Sequence, residues 1–185
     1  DNFMKYYYEH ILPNGVHVII RSANPNDAIE LHHLFNKTHS ETDFLTTYPD
    51  ESHFDLEKEM DSYQKLNDSE NSCEILAVID NKIIGSASLN FVSLKDKEKH
   101  RGVIGLSILK EYYGLGIGNI LFSTIIELGK KAQYKQLELQ VVSNNTSAIS
   151  LYKKYNFIKY GENPKAFLNR QNKYQSIDYM RLEIE

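Results

Sequence analysis

Three glycines fall within five residues in the run Tyr113-Gly114-Leu115-Gly116-Ile117-Gly118, directly after a short apolar stretch and directly before an amphipathic one. A strand that turns through glycine into a helix leaves backbone N–H groups without partners. It also points the positive end of the helix dipole outward, so the junction suits a phosphate or pyrophosphate. Glycine lets such a ligand approach without meeting a Cβ, although glycine serves turns for conformational reasons alone as well. Spacing discriminates among phosphate loops. A dinucleotide loop wants a third glycine where this chain has Asn119, and an acidic residue at the end of the next strand, where it has Val141-Val142. A nucleoside-triphosphate loop wants Gly-Lys-Ser/Thr, which is absent.

Other groups with chemistry are scattered. Residues 41–61 carry eight acids against the single base Lys58, a pattern that suits a cationic partner or a solvated helix face. His32 and His33 are adjacent and so point about 100° apart on a helix; with no second ligand pair at suitable spacing, no metal site is expected. Cys73 reads as a small buried residue.

The elements that must position these groups follow from periodicity. Residues 5–11 and 16–22 have strand character around Pro13-Asn14-Gly15, a hairpin signal. Asn26 and Asp27 can cap a helix to about Asn36; residues 39–50 read as loop, and a second helix spans about 55–66. Strands at 73–79 and 83–92 flank the turn Asp80-Asn81-Lys82. The charged run 96–101 reads as a loop tip, and 103–109 as a strand. Ile117, Ile120, Leu121, Ile125, Leu128 and Ala132 form one apolar helical stripe. A strand over 137–141 and a helix over 146–155 follow. Strands at 157–160 and 174–184, separated by a polar loop over 161–173, close the chain. The pattern is α/β, a mixed sheet with helices on its faces.

Composition sets the outer bounds. At 185 residues with 41% hydrophobic content, one domain over 1–185 and one core are expected. The net charge of −4 argues against a nucleic-acid partner. No run approaches the roughly 20 apolar residues of a membrane span, and one cysteine forms no internal disulfide, so the expectation is no membrane and a cytoplasmic location.

Residues 113–118 resemble the acetyl-CoA pyrophosphate loop of the GNAT N-acetyltransferase superfamily, usually Gln/Arg-x-x-Gly-x-Gly/Ala. Downstream, Ser143-Asn144-Asn145, Ala148-Ile149 and Leu151-Tyr152-Lys153-Lys154-Tyr155-Asn156-Phe157 resemble the family's Asn…Ala-x-x-Leu-Tyr-x-x-x-Gly-Phe block, and residues 100–108 its central strand. The match is close over about 100–160. Tyr113 replaces the usual Gln or Arg. Asn156 replaces the commoner Gly, and Asn tolerates the left-handed conformation a helix end often needs.

The resemblance implies a GNAT acyl-CoA N-acyltransferase fold: a mixed, mostly antiparallel sheet flanked by helices, with splayed central strands. It implies acetyl-CoA as co-substrate and a primary amine as acceptor, attacking directly in a ternary complex. The backbones of Leu106 and Ile108 would pair with the pantetheine arm, and the Ile108 N–H would face the thioester oxygen. Tyr113 and the amides of Gly114, Leu115, Gly116, Ile117, Gly118 and Asn119 would hold the pyrophosphate. Asn145 would contact the pantetheine or anchor its strand, and Tyr152 would protonate the leaving thiolate as general acid. Many relatives carry a Glu base where this chain aligns Val103; Glu111, His100, Asp50, Glu51 and Asp178 are open candidates. Phe44, Tyr48, Asp50 and Glu51 would frame a cationic acceptor. An acyl-CoA-binding module without turnover and a protein N-terminal or lysine acetyltransferase stay open as alternatives, as do monomer and homodimer.

Overall fold

Turn chemistry sets the register of the first half of the sheet. Asp80 and Asn81 both take positive φ, 49° and 63°, the geometry of a two-residue hairpin turn whose twist matches its strands. This turn joins β3 (Cys73–Ile79) to β4 (Lys82–Phe91), with Ile79 opposite Lys82. The computed structural model describes residues 4–185, and the residues preceding Met4 lie outside the described range. β1 (Tyr7–Ile11) and β2 (His17–Ser22) form the other early hairpin, through Gly15 at φ 85°. The remaining elements are α1 (Ala28–Glu41), α2 (Leu56–Asn67), β5 (Arg101–Ile108), α3 (Ile117–Lys131), β6 (Gln136–Val142), α4 (Thr146–Lys154), β7 (Ile158–Leu168) and β8 (Tyr174–Glu183).

The strands form one sheet in the order β1-β2-β3-β4-β5-β6-β8-β7, antiparallel except for β5 beside β6. Phe122 of α3 contacts Tyr152 of α4, ring centroids 4.9 Å apart, so these helices share a layer. A Cβ on Gly118 of α3 would sit 3.5 Å from the Ile108 side chain, so the even-numbered residues of β5 face that layer. The odd-numbered residues face the layer of α1 and α2. The core, including Ile75, Leu89, Leu121, Phe122, Leu137 and Met180, is sealed between sheet and helices.

Three sequence expectations need correction. Asp27 does stand at the N-cap of α1, but its side chain makes no capping bond there and is held by the Arg21 guanidinium through two bonds of 2.8 Å; the side-chain cap is one turn earlier, where Asn24 accepts from the Asn26 N–H at the start of the 3₁₀ turn Pro25–Asp27. α1 also runs on to Glu41, into the segment expected to be loop. The polar segment 161–173 is largely strand: β7 reaches Leu168, and Leu168 pairs with Tyr174. β7 is an edge strand exposed along most of its length, so it lacks the apolar alternation that reveals a half-buried strand. Pro164 lies where its register slips between Asn163 and Phe167, an edge position where a missing donor is tolerated.

Candidate active site

β5 and β6 contain eight and seven residues but pair only through Arg101↔Gln136, Gly102↔Leu137 and Val103↔Glu138. Beyond those rungs the strands part. The Val92 N–H donates to the Arg101 carbonyl and the Leu109 N–H to the Ile84 carbonyl, so the odd-numbered residues of β5 turn their backbone groups toward β4. Leu106 and Ile108 therefore present theirs to the opening, as an unpaired strand edge. The closed end of the opening is pinned by Arg101, which donates to Glu138 at 2.5 and 2.7 Å, with Gln136 adding a bond of 2.8 Å. Burial would raise the Glu138 pKa, but these hydrogen bonds outweigh it and hold the carboxylate below its ordinary range.

Over the open end lies the glycine turn. Gly114 and Gly116 adopt φ 76° and 91°, a backbone conformation that other residues enter at a cost of roughly 1–2 kcal/mol. Gly116 is the residue from which α3 starts, and it has no side-chain cap. Among the described residues, none of the six N–H groups of residues 114–119 donates a hydrogen bond; the first such bond in α3 is from Ile120 to Gly116. A Cβ on Gly114 would meet nothing within 4 Å. Six free amides at a helix N-terminus form a cradle for an anion. The cradle and the open β5 edge are contiguous, which fits a ligand with a pyrophosphate followed by an extended amide-bearing arm. Tyr113 is exposed beside the turn.

Asn145 caps α4, its side chain accepting from the Ala148 N–H at 3.3 Å. Two helical turns later Tyr152 is buried at 8% exposure against Phe122 and Phe157. Among the described residues nothing hydrogen-bonds its hydroxyl. Burial pushes this phenol up to about 12, so it stays protonated at neutral pH and can act as a proton donor. Asn156, at the end of the same helix, takes φ 69°, the left-handed geometry expected of it.

The open candidates for a base are now placed. Val103, 37% exposed on the α1/α2 side, has no titratable group. His100 precedes β5 at the end far from Ile108, roughly 25 Å along the strand. Glu111 pairs with Lys82 and Lys37 at 3.3 and 3.7 Å. Asp178 accepts from the Ser143 hydroxyl at 2.6 Å, pairs with Lys159 at 3.3 Å, and shares the side of Val141, facing the α3/α4 layer. Asp50 receives both Arg170 nitrogens at 3.0 and 2.7 Å, and these bonds lower its pKa. Glu51 accepts from the Tyr48 N–H at 2.7 Å.

These last contacts join the segment after α1 to the β7–β8 hairpin tip. The Arg170 guanidinium stacks 4.0 Å over the Tyr48 ring, the Tyr48 hydroxyl accepts from the Arg170 N–H, and Gln175 donates to the Asp43 carbonyl. A cavity of about 230 Å³ lies between the two segments, lined by Tyr48 and Glu51 along with Thr42, Phe167 and Asn169. Phe44 is exposed and, like Asp50, does not line it. Of the two acids expected at the acceptor, Asp50 is paired with Arg170 and Glu51 accepts from the Tyr48 N–H.

Sequence reasoning missed Glu138, Arg170 and Glu74. Only Glu74 left a signal, as the lone acid in the apolar run Cys73–Ile79. Among the described residues no group of three or more His, Cys, Asp or Glu is arranged to hold a metal, and no helix is long and apolar enough to cross a membrane.

The family model described as Acetyltransferase (GNAT) family matches residues 29–157. Among solved structures, a GNAT-family acetyltransferase from Streptococcus pneumoniae superposes with TM-score 0.86 at 27% identity, covering 90% of this chain and 99% of that one. A ribosomal-protein-alanine N-acetyltransferase from Brucella melitensis shares the fold at 19% identity and TM-score 0.77, over 89% and 99% of the chains. A Salmonella typhimurium structure described with its cofactor acetyl-CoA does so at 15% identity and TM-score 0.80, over 91% and 94%. With the divided strands, the amide cradle and the matched family model in agreement, the chain belongs to the GNAT family of acetyltransferases.

Proposed function

We propose that the protein transfers the acetyl group of acetyl-CoA to a primary amine by direct attack in a ternary complex. The observation that carries this reading is the continuity between six unpaired amides and the open edge of β5. Acetyl-CoA supplies an activated thioester. Residues 114–119 bind the pyrophosphate, and the backbones of Leu106 and Ile108 align the pantetheine arm. The Ile108 N–H points into the opening as a donor for the thioester oxygen, a term that grows as charge develops on that oxygen. Asn145 fixes the start of α4, and with it Tyr152, whose hydroxyl holds a proton for the departing sulfur. A desolvated thiolate is itself a stronger base, which narrows the gap to a phenol raised by the same burial. Cys73, buried with its thiol pushed up to about 12, takes no covalent part.

The acceptor enters between the segment after α1 and the β7–β8 tip, where the cavity beside Tyr48 and Glu51 provides polar contacts and one acidic edge suited to a small cationic amine. The test is incubation with acetyl-CoA and three acceptors: a polyamine, an alanine-initiated peptide and a lysine peptide, with the acetylated product identified by mass spectrometry. Acetylation of the polyamine is expected, and preference for either peptide would move the assignment to a protein acceptor. Saturable acetyl-CoA binding with no acetylated amine would favour the second reading, a binding module without turnover. That reading draws on Val103 standing where an acid is usual.

A further inference from the structure

One strand of the core carries an acid that no basic side chain among the described residues pairs with. β3 reads Cys-Glu-Ile-Leu-Ala-Val-Ile, and its register places Glu74 opposite Ser88 of β4, with Ser88 opposite Gly105 of β5. All three lie on the α1/α2 side of the sheet, the side of Val103. Two interstrand steps of about 4.8 Å separate Glu74 from the divided strand. Small groups occupy the space between them. Ser86 lies diagonally across the β3–β4 ladder from Glu74, close enough for its hydroxyl to lower the carboxylate's pKa, Ser107 lies opposite Ser86, and a Cβ on Gly105 would come within 2.8 Å of the Ser88 hydroxyl. Ser86, Ser88, Gly105 and Ser107 all keep partial solvent access, whereas Ala87 and Leu89, on the other side of β4, are sealed at 1% and 0% exposure. A polar, water-accessible lane therefore leads from Glu74 to the opening.

The charges around Glu74 do not balance it. Tyr63 and Glu59 of α2 face it, as does Asp27 ahead of α1, and Asp27 already holds Arg21. Among the described residues no basic side chain pairs with Glu74, in contrast to Asp27, Asp50, Glu138 and Asp178. Desolvation, opposed by the Ser86 hydroxyl and reinforced by Glu59 and Asp27, raises its pKa to about 7.

We propose that Glu74 takes up the proton lost by the attacking amine, with the Ser86 hydroxyl as relay. This rests on the acetyl-transfer reading above and supplies the base that Val103 cannot be. The amine nitrogen bonds the acetyl carbon, its surplus proton passes to water in the lane, and that water gives a proton to the Ser86 oxygen as the Ser86 proton moves to Glu74. The carbon–sulfur bond breaks, the thiolate takes the Tyr152 proton, and solvent restores Tyr152 and Glu74. Glu74 drains the relay and Ser86 hands it the proton; both act on the amine through the lane and not by touching it.

The experiment measures kcat/KM for acetyl-CoA-dependent acetylation of spermidine and of an alanine-initiated peptide from pH 5.5 to 9, in wild type, Glu74→Gln and Ser86→Ala, with acetyl-CoA affinity measured alongside. Wild type is expected to gain activity through a midpoint near 7, because only the ionised carboxylate accepts a proton. Glu74→Gln is expected to lose that limb and at least about 100-fold in rate, with acetyl-CoA affinity retained. Ser86→Ala should slow turnover while keeping acetyl-CoA affinity. A Glu74→Gln variant that retains the limb near 7 overturns this inference alone. If Glu74→Gln fails to fold, Ser86→Ala decides: wild-type turnover overturns the relay, and slowed turnover with intact acetyl-CoA binding supports it. Wild type that acetylates neither amine overturns the transfer reading itself, and this inference with it.

Discussion

Replacing Glu74 by glutamine should stabilise the protein at alkaline pH, by an amount that the carboxylate's surroundings fix. Its pKa rises from 4.5 to about 7 on folding because burial outweighs the opposing Ser86 hydroxyl. A raised carboxylate pKa means that the folded state holds the proton more tightly than the unfolded chain. The associated stability is fully present below pH 4.5 and is lost as pH climbs through 7. At about 1.4 kcal/mol per unit, ionising Glu74 costs about 3 kcal/mol above pH 8, but only about 1 kcal/mol at pH 5. Glutamine keeps the shape and stays neutral. Urea melts of both proteins at pH 5 and 8.5 should therefore show Glu74→Gln gaining about 2 kcal/mol relative to wild type over that interval. In thermal melts the same change is several degrees for a domain of this size. A stability difference that does not vary with pH would refute the claim that this carboxylate is desolvated and unpaired.

Three further outcomes follow from the site. Tyr152→Phe removes a hydroxyl with no partner among the described residues, so the melting temperature should hold or rise slightly while turnover falls by about 10-fold or more; unchanged kcat across pH 6–9 would remove Tyr152 as the acid. Arg101→Ala leaves Glu138 buried and uncompensated, and should cost about 3 kcal/mol in a denaturant melt; a loss below 1 kcal/mol would show that the closed end of the opening is not pinned by this pair. Arg170→Ala breaks an exposed ion pair, so stability should move by less than about 1 kcal/mol, while KM for the amine rises as the segment containing Tyr48 is released; an unchanged KM would exclude that segment from the acceptor site.

The sequence was most informative where local chemistry sets geometry. The glycine turn, the helix it opens and the left-handed Asn156 were all legible because φ preferences and the 3.6-residue period act over a few residues. The divided strands were legible only through family resemblance, since no residue in 103–108 signals that its neighbour departs. β7 was missed because an exposed edge strand has no burial pattern to display. At the mouth of the site the pairing was hidden for a different reason: Asp50 meets Arg170 across 120 residues of chain, and composition counts acids without showing which are already paired. Glu74 left a trace in the sequence, but its proximity to β5 exists only through the register of two intervening ladders.

The central claim is that free backbone amides and an open strand edge together hold acetyl-CoA. Calorimetric titration of the purified protein with acetyl-CoA and with acetyl-pantetheine, which lacks the pyrophosphate, tests it most directly. The account predicts saturable one-to-one binding of acetyl-CoA and binding of acetyl-pantetheine weaker by about 100-fold or more, the loss of roughly two charge-assisted hydrogen bonds. Equal affinity for the two compounds, or no binding of acetyl-CoA, would contradict it.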